Sequence, residues 1–229
     1  MLTVLSPCLP SAGWASLPRH RADWDDATMD GRGASMRERK AALRAAVLAA
    51  RRAMPAAARA EAASSLTAAV LTLPEVMTAR IVAVYVSIGT EPPTAELLDV
   101  LRSRNARVLV PVLREDLDLD WAIYENREQM SPGPRGVWAP EGPRLGLDAV
   151  ADADVVLVPA LAVSADGARL GRGGGSYDRA LARVPAGRPR TALLYDGELL
   201  PGVPAEAHDQ RVTGVVTPSG ARHLVDGGL

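Results

Sequence analysis

The sequence predicts an α/β fold: a three-layer α/β/α sandwich around a mostly parallel sheet, Rossmann-like in its layering. Three observations carry this. Short β-branched apolar runs alternate with longer stretches of strong helix formers, the pattern of a parallel sheet covered on both faces. A glycine-rich stretch at 171–175 lies between a strand pattern and a helix pattern. The chain has 229 residues, 48% hydrophobic and 23% charged, so one globular domain, or at most two, fits and disorder as the main state does not.

The elements follow in order. Residues 1–35 carry Pro7, Pro10, Pro18, Gly13, Gly31 and Gly33 with no apolar period. They read as a disordered tail, with Met36 as an alternative first residue, and 36–229 as a single domain. The tail has neither the basic start nor the unbroken apolar stretch of a secretory signal, and its acidic end does not suit a transit peptide. From 37 to 54 there is no Pro or Gly, and Ala, Leu and Arg dominate, which predicts a helix. Leu43, Val47 and Ala50 space its apolar stripe, and Lys40 and Arg44 stand four apart on one face. Pro55 opens a second helix in its first turn, running to Leu73. Strands are expected at 81–86, 107–113, 117–124, 154–162, 191–195 and 213–217. Helices are expected at 94–104, with Thr94 as N-cap, and at 177–183. Residues 133–146 read as a Pro/Gly-rich loop.

Composition removes several functions. The 26 basic and 27 acidic residues leave a net charge of −1, against a protein that mainly binds the nucleic-acid backbone. One cysteine, Cys8, excludes an internal disulfide framework and a multi-cysteine zinc site. No apolar run approaches the roughly 20 residues of a bilayer span. A cytoplasmic monomer acting on small molecules is the expectation. Of the basic residues only Lys40 is a lysine. In an Arg-rich chain a single lysine draws attention, because a compact ammonium and a guanidinium meet phosphate differently.

The most informative segment runs Leu170, Gly171, Arg172, Gly173, Gly174, Gly175, Ser176, Tyr177, Asp178. Glycines let the backbone take positive φ and approach a ligand with no Cβ in the way. Successive N–H groups favour an anion such as phosphate. Ser176 is placed to cap the following helix and Asp178 to sit in its first turn. The stretch matches neither Walker A, for want of Gly-Lys-Ser/Thr, nor the dinucleotide fingerprint, for want of the third glycine.

Residues 170–179 resemble the signature of the 5-formyltetrahydrofolate cyclo-ligase family, also called 5,10-methenyltetrahydrofolate synthetases. The preceding Val158-Pro159-Ala160-Leu161-Ala162 and Asp166-Gly167-x-Arg169-Leu170 match too. So do the Lys-x-x-x-Arg of the first helix (Lys40, Arg44), the Ser-x-x-x-Glu loop (Ser87 to Glu91) and the late acidic segment His208-Asp209. The agreement spans about residues 36–225. Gly174 stands where relatives often have Lys, and Ser176 where they usually have Tyr.

The resemblance implies an ATP- and Mg²⁺-dependent enzyme that turns 5-formyltetrahydrofolate into 5,10-methenyltetrahydrofolate, releasing ADP and phosphate. It implies ATP binding by Lys40, Arg44, Leu170, Gly171, Arg172, Gly173, Gly174, Gly175, Ser176, Tyr177 and Asp178. Arg172 and Tyr177 would act at the reacting centre, Val86, Glu91 and Tyr177 would bind the folate, and Asp178 with Asp209 would hold Mg²⁺. Tyr195 and Trp138 read as packing residues, His208 and His223 as surface residues. Two other classes stay open on the residues alone: a non-catalytic folate- or nucleotide-binding protein, and a phosphosugar isomerase or CoA-transferase-like enzyme on a related fold.

Overall fold

The structure is a computed structural model that describes residues 34–224. Apart from Ala34 and Ser35, the expected tail, with Cys8, lies outside the described residues.

Helix α1 (Met36–Ala53) starts at a capping box. The Ser35 hydroxyl accepts from the Glu38 N–H, and the Glu38 carboxylate accepts from the Ser35 N–H at 2.7 Å. Its buried residues are Lys40, Leu43, Val47 and Arg51, so the apolar stripe carries a charge at each end. Pro55 is not inside the next helix but caps it in extended conformation, ahead of α2 (Ala56–Val70). A short helix not expected from the sequence, α3 (Pro74–Thr78), follows with Pro74 in its first turn.

The central sheet has seven strands: β1 (Ile81–Val84), β2 (Arg107–Leu113), β3 (Leu119–Ile123), β6 (Val155–Pro159), β9 (Arg190–Leu193), β11 (Gly214–Thr217) and β12 (Gly220–His223). Their order is β12-β11-β9-β6-β1-β2-β3. The four inner pairings are parallel; β3 and β12 add antiparallel edges. Pro111, which has no N–H to give, lies in β2 beyond its pairing with β1 and opposite Trp121 of β3. Alternate strand residues face opposite layers. Val82, Val84, Val108, Val155, Leu157 and Val216 pack under α2, α3 and α4 (Ala95–Ser103). Ala83, Leu109, Val156, Val158, Ala192 and Val215 pack under α5 (Ser176–Ala182) and the 3₁₀ turn Leu147–Asp152. The expected three-layer sandwich is the one observed.

Two small sheets elaborate it. The Pro/Gly-rich stretch expected as loop contains a hairpin, β4 (Met130–Pro132) with β5 (Trp138–Pro140). The expected strand at 154–162 is two elements: it breaks after β6, and β7 (Ala162–Ser164) joins β8 (Arg169–Leu170) and β10 (Leu199–Leu200). Helix α1 packs on this second sheet, where Leu43 and Val47 meet Leu161, Leu170 and Leu200.

Strand order matters for function. From β1 the chain moves outward to β2 and β3, then returns to β6 on the other side and continues to β9 and β11. The switch point lies between β1 and β6, at whose C-terminal ends open α/β sheets bind ligands. The loop carrying Glu91 follows β1, and the glycine loop lies beyond β6.

Candidate active site

The glycine loop is exposed from Arg172 to Gly174. Gly173 (φ +97°) and Gly175 (φ +68°) sit in the left-handed region, where a side chain is strained. A Cβ at Gly173 would stand 3.5 Å from the Arg44 guanidinium. The expected N-cap at Ser176 is corrected: Gly175 holds the cap position, no side chain caps it, and Ser176 is the first helical residue. The left-handed turn places the cap one residue early. Leu170 is buried in β8 and anchors the loop from below.

Two basic groups reach this region from α1. Arg44 Nε donates to the Gly171 carbonyl at 2.9 Å. Lys40 is buried, and its Nζ donates to Glu206 and to Asp209, each at 2.7 Å. Burial alone would lower the Lys40 pKa; the two carboxylates outweigh it and raise it. Burial is the largest single influence on Asp209 and would raise its pKa, but the bond from Lys40, the Glu206 N–H and the Lys40 charge together outweigh it, and the carboxyl lies below its ordinary value. Lys40 thus stands between two acids, with Arg44 alone of the pair touching the glycine loop directly.

Asp178 Oδ1 accepts from Arg169 Nη2 at 2.7 Å and from the Gln210 N–H at 3.2 Å. Gln210 follows Asp209, so the two expected metal-binding segments are joined. Glu206, His208 and Asp209 bring their ligand atoms within 4.8 Å of one another. His208 and His223 are exposed, as expected.

The acidic side of the site is built by the loop after β1. Glu91 is 8% exposed. Its Oε2 accepts from the Ile88 N–H at 3.0 Å, and its Oε1 lies 3.2 Å from Arg172 Nε. Burial raises the Glu91 pKa, and the Ile88 N–H and the Arg172 charge oppose the rise. The same arginine therefore borders both the glycine loop and the acidic loop. Tyr177 is partly buried and packs against the apolar clusters on both faces of the central sheet. Its hydroxyl is buried with no hydrogen-bond partner among the described residues, and burial, reinforced by Glu91, pushes its pKa far up. Val86 lies partly buried at the same end.

Two expectations about aromatics change. Trp138, read as a packing residue, is 46% exposed on the β4–β5 hairpin, because that hairpin projects one face away from the core. Tyr195 is buried, but does more than pack: its hydroxyl donates to the Glu91 carbonyl at 3.2 Å. Thr94 holds the cap position of α4, yet its hydroxyl donates to the Tyr85 carbonyl and accepts from the Ser87 N–H, tying the Glu91 loop instead of the helix.

Sequence reasoning missed the Arg51–Glu198 pair. Both are 0% exposed, and Arg51 donates to both carboxylate oxygens at 2.6 and 2.7 Å and to the Ala160 carbonyl at 2.7 Å. The partners lie 147 residues apart, and no local pattern links them. It missed Glu206 as well, although that residue stands three positions before Asp209.

A profile of the 5-formyltetrahydrofolate cyclo-ligase family matches residues 36–218. A 5-formyltetrahydrofolate cyclo-ligase of Mycolicibacterium smegmatis is 44% identical over 147 residues, 62% of this chain and 75% of the relative. The protein of that name in Escherichia coli K12 is 30% identical over 152 residues, 65% of this chain and 84% of the relative. The solution structure of the Aquifex aeolicus 5,10-methenyltetrahydrofolate synthetase superimposes with a TM-score of 0.71 at 27% identity, covering 83% of this chain and 95% of that one. With the glycine loop, the α1 basic pair and the β1 acidic loop assembled at one end of the sheet, and a profile match from Met36 onward, the chain belongs to the 5-formyltetrahydrofolate cyclo-ligase family.

Proposed function

We propose that residues 36–229 form one catalytic domain that converts 5-formyltetrahydrofolate to 5,10-methenyltetrahydrofolate, using ATP and Mg²⁺ and releasing ADP and phosphate. The observation that carries this reading is the 3.2 Å approach of Arg172 to Glu91. It joins a phosphate-type loop to a buried carboxylate suited to the amino and ring N–H groups of a pterin.

The chemistry explains the need for both. A formamide oxygen is a poor leaving group. Transfer of the γ-phosphoryl of ATP to that oxygen makes it a good one. The folate N10 then attacks the formyl carbon, the N10 proton leaves, and phosphate departs with the oxygen. Phosphoryl transfer asks chiefly for positioning and charge neutralisation.

In this reading the N–H groups of 171–175 cradle the phosphates, and Arg44 holds the loop through the Gly171 carbonyl. Arg172 leaves Glu91 for the transferred phosphoryl, where a guanidinium aimed at developing charge acts most strongly. Lys40 meets the nucleotide by exchanging one of its two carboxylates for phosphate. Tyr177 turns its unpartnered hydroxyl to the reacting centre, and Val86 lines the pterin pocket beside Glu91. Hard oxygen donors fit Mg²⁺. Asp178 and Asp209, joined through Gln210, would hold it, and when bound it supplies further neutralisation of phosphate charge.

No helix among the described residues is long and apolar enough to cross a membrane. The balanced charge supports small molecules and not the nucleic-acid backbone as partners, and we infer a cytoplasmic monomer with no membrane partner. The test is purified protein with 5-formyltetrahydrofolate, ATP and Mg²⁺, following methenyl absorbance together with ADP. Methenyl product formed only with ATP is expected. Absence of product would overturn the reading, and binding without turnover would favour the non-catalytic alternative.

A further inference from the structure

The loop that carries Glu91 is held from two sides by tyrosine hydroxyls. Tyr85 Oη donates to the Pro92 carbonyl at 2.6 Å, and Tyr195 Oη donates to the Glu91 carbonyl at 3.2 Å. Tyr85 directly follows β1, and Tyr195 stands two residues beyond β9, so two parallel strands separated by β6 grip consecutive carbonyls of one loop. Both tyrosines are 2% exposed.

Tyr195 is itself clamped. The Arg51 guanidinium lies over its ring, 5.5 Å from the centroid. The Tyr195 N–H donates at 2.8 Å to Glu198 Oε2, an oxygen that Arg51 also holds at 2.7 Å. Arg51 then ties this group to the Ala160 carbonyl, just past β6. One buried network therefore connects α1 and the ends of β6 and β9 to the Glu91 main chain, while Tyr85 adds the end of β1. A buried ion pair adds little net stability over a well-packed apolar pair, and a phenylalanine at either tyrosine position would fill nearly the same space. What the polar atoms add is orientation.

We propose that Tyr85 and Tyr195, with Arg51 and Glu198 behind Tyr195, are positioning residues for the Glu91 carboxylate. They set the two carbonyls around the Glu91–Pro92 link and so fix the direction of the Glu91 side chain before substrate arrives. None of the four touches the substrate. The inference rests on the reading of Glu91 as the group that binds the pterin. A preset carboxylate loses less freedom on binding, so the gain appears in folate affinity and not in the nucleotide step.

The test uses the full chain with Tyr195→Phe, Tyr85→Phe and Glu91→Gln, singly and combined. Each tyrosine variant loses one hydrogen bond, which predicts a rise of about three- to tenfold in KM for 5-formyltetrahydrofolate. KM for ATP should move less than twofold. Calorimetric binding of 5-formyltetrahydrofolate without ATP should weaken in parallel, and thermal unfolding checks that each variant is folded. In the Glu91→Gln background the tyrosine substitutions should add little, since they act through the same carboxylate. Unchanged folate binding in Glu91→Gln would overturn the reading of Glu91 itself. Weakened folate binding in Glu91→Gln, with the tyrosine variants unchanged or raising both KM values equally, would overturn the positioning role alone.

Discussion

Replacing Arg51 by Met removes the cation from a fully buried pair and leaves its anion in place. The side chain loses two charge-assisted bonds to Glu198 and one to the Ala160 carbonyl, and the Tyr195 ring loses its cation. Glu198 keeps the Tyr195 N–H but is 0% exposed, so water cannot replace what is lost. Breaking such a pair from one side typically costs about 3–5 kcal/mol. For a domain of this size each kcal/mol lowers Tm by about 2–4 °C, so the expected fall is about 6–20 °C.

The sign of the pH dependence follows from Glu198. Burial raises its pKa, while the Arg51 charge and the Tyr195 N–H pull it down. Without Arg51 the folded-state value rises further above the unfolded one. A carboxyl raised in this way is least harmful below its unfolded pKa of about 4.3 and loses stability as pH rises through the folded value. The deficit of Arg51→Met against the parent should therefore be larger at pH 8 than at pH 5.5. Urea unfolding followed by circular dichroism at both pH values measures it. The double variant Arg51→Met/Glu198→Leu should recover most of the loss, because no buried charge remains. A single variant within about 1 kcal/mol of the parent at pH 8, or a double variant no better than the single, would refute the reasoning.

Other outcomes follow from the site. Arg172→Ala should cut turnover at least about tenfold, roughly 1.4 kcal/mol of barrier, in the methenyl absorbance assay; an unchanged kcat removes Arg172 from the reacting centre. Lys40→Ala should raise KM for ATP more than KM for folate, whereas an equal rise in both marks a folding role. Glu206→Gln removes one of the two carboxylate charges that hold Lys40 and should lower KM for ATP; a higher KM would mean that Glu206 assists the nucleotide. Burial is the first cause that raises all four tyrosines of the chain: Tyr195 to about 12, and Tyr85, Tyr124 and Tyr177 well above their ordinary value. Their phenolate absorbance should stay low through pH 10, where free tyrosine is half ionised, and the stability of their neutral forms should be lost as pH climbs from about 10 through 12. Half-ionisation of even one tyrosine at pH 10 in the folded protein would contradict this.

Local chemistry made part of the architecture legible. Helix formers without Pro or Gly, and short β-branched runs, report their own periodicity, so α1, β2 and the alternation of strand and helix were readable from neighbouring residues. Four glycines in five positions marked a loop that needs left-handed backbone, and two of them adopt it. Elements of two or three residues such as β4, β5, β8 and β10 are too short to show a period, and their pairing depends on what the rest of the chain places beside them. Ser176 shows the same limit at finer scale. Its chemistry suits a cap, but the left-handed turn at Gly175 decided the register.

The sequence by itself determined the layering, the glycine loop and the family, because each is written in contiguous residues. Which charges meet was decided only by tertiary structure. Packing α1 on the second small sheet delivers Lys40 to Glu206 and Asp209, 166 and 169 residues away. Arg51 lies three turns further along that helix, and the same packing buries it against Glu198. The identity of a side chain sets what it can bond. Strand order and helix packing set what it reaches, and a buried charge must then find its partner there or leave its ionised state.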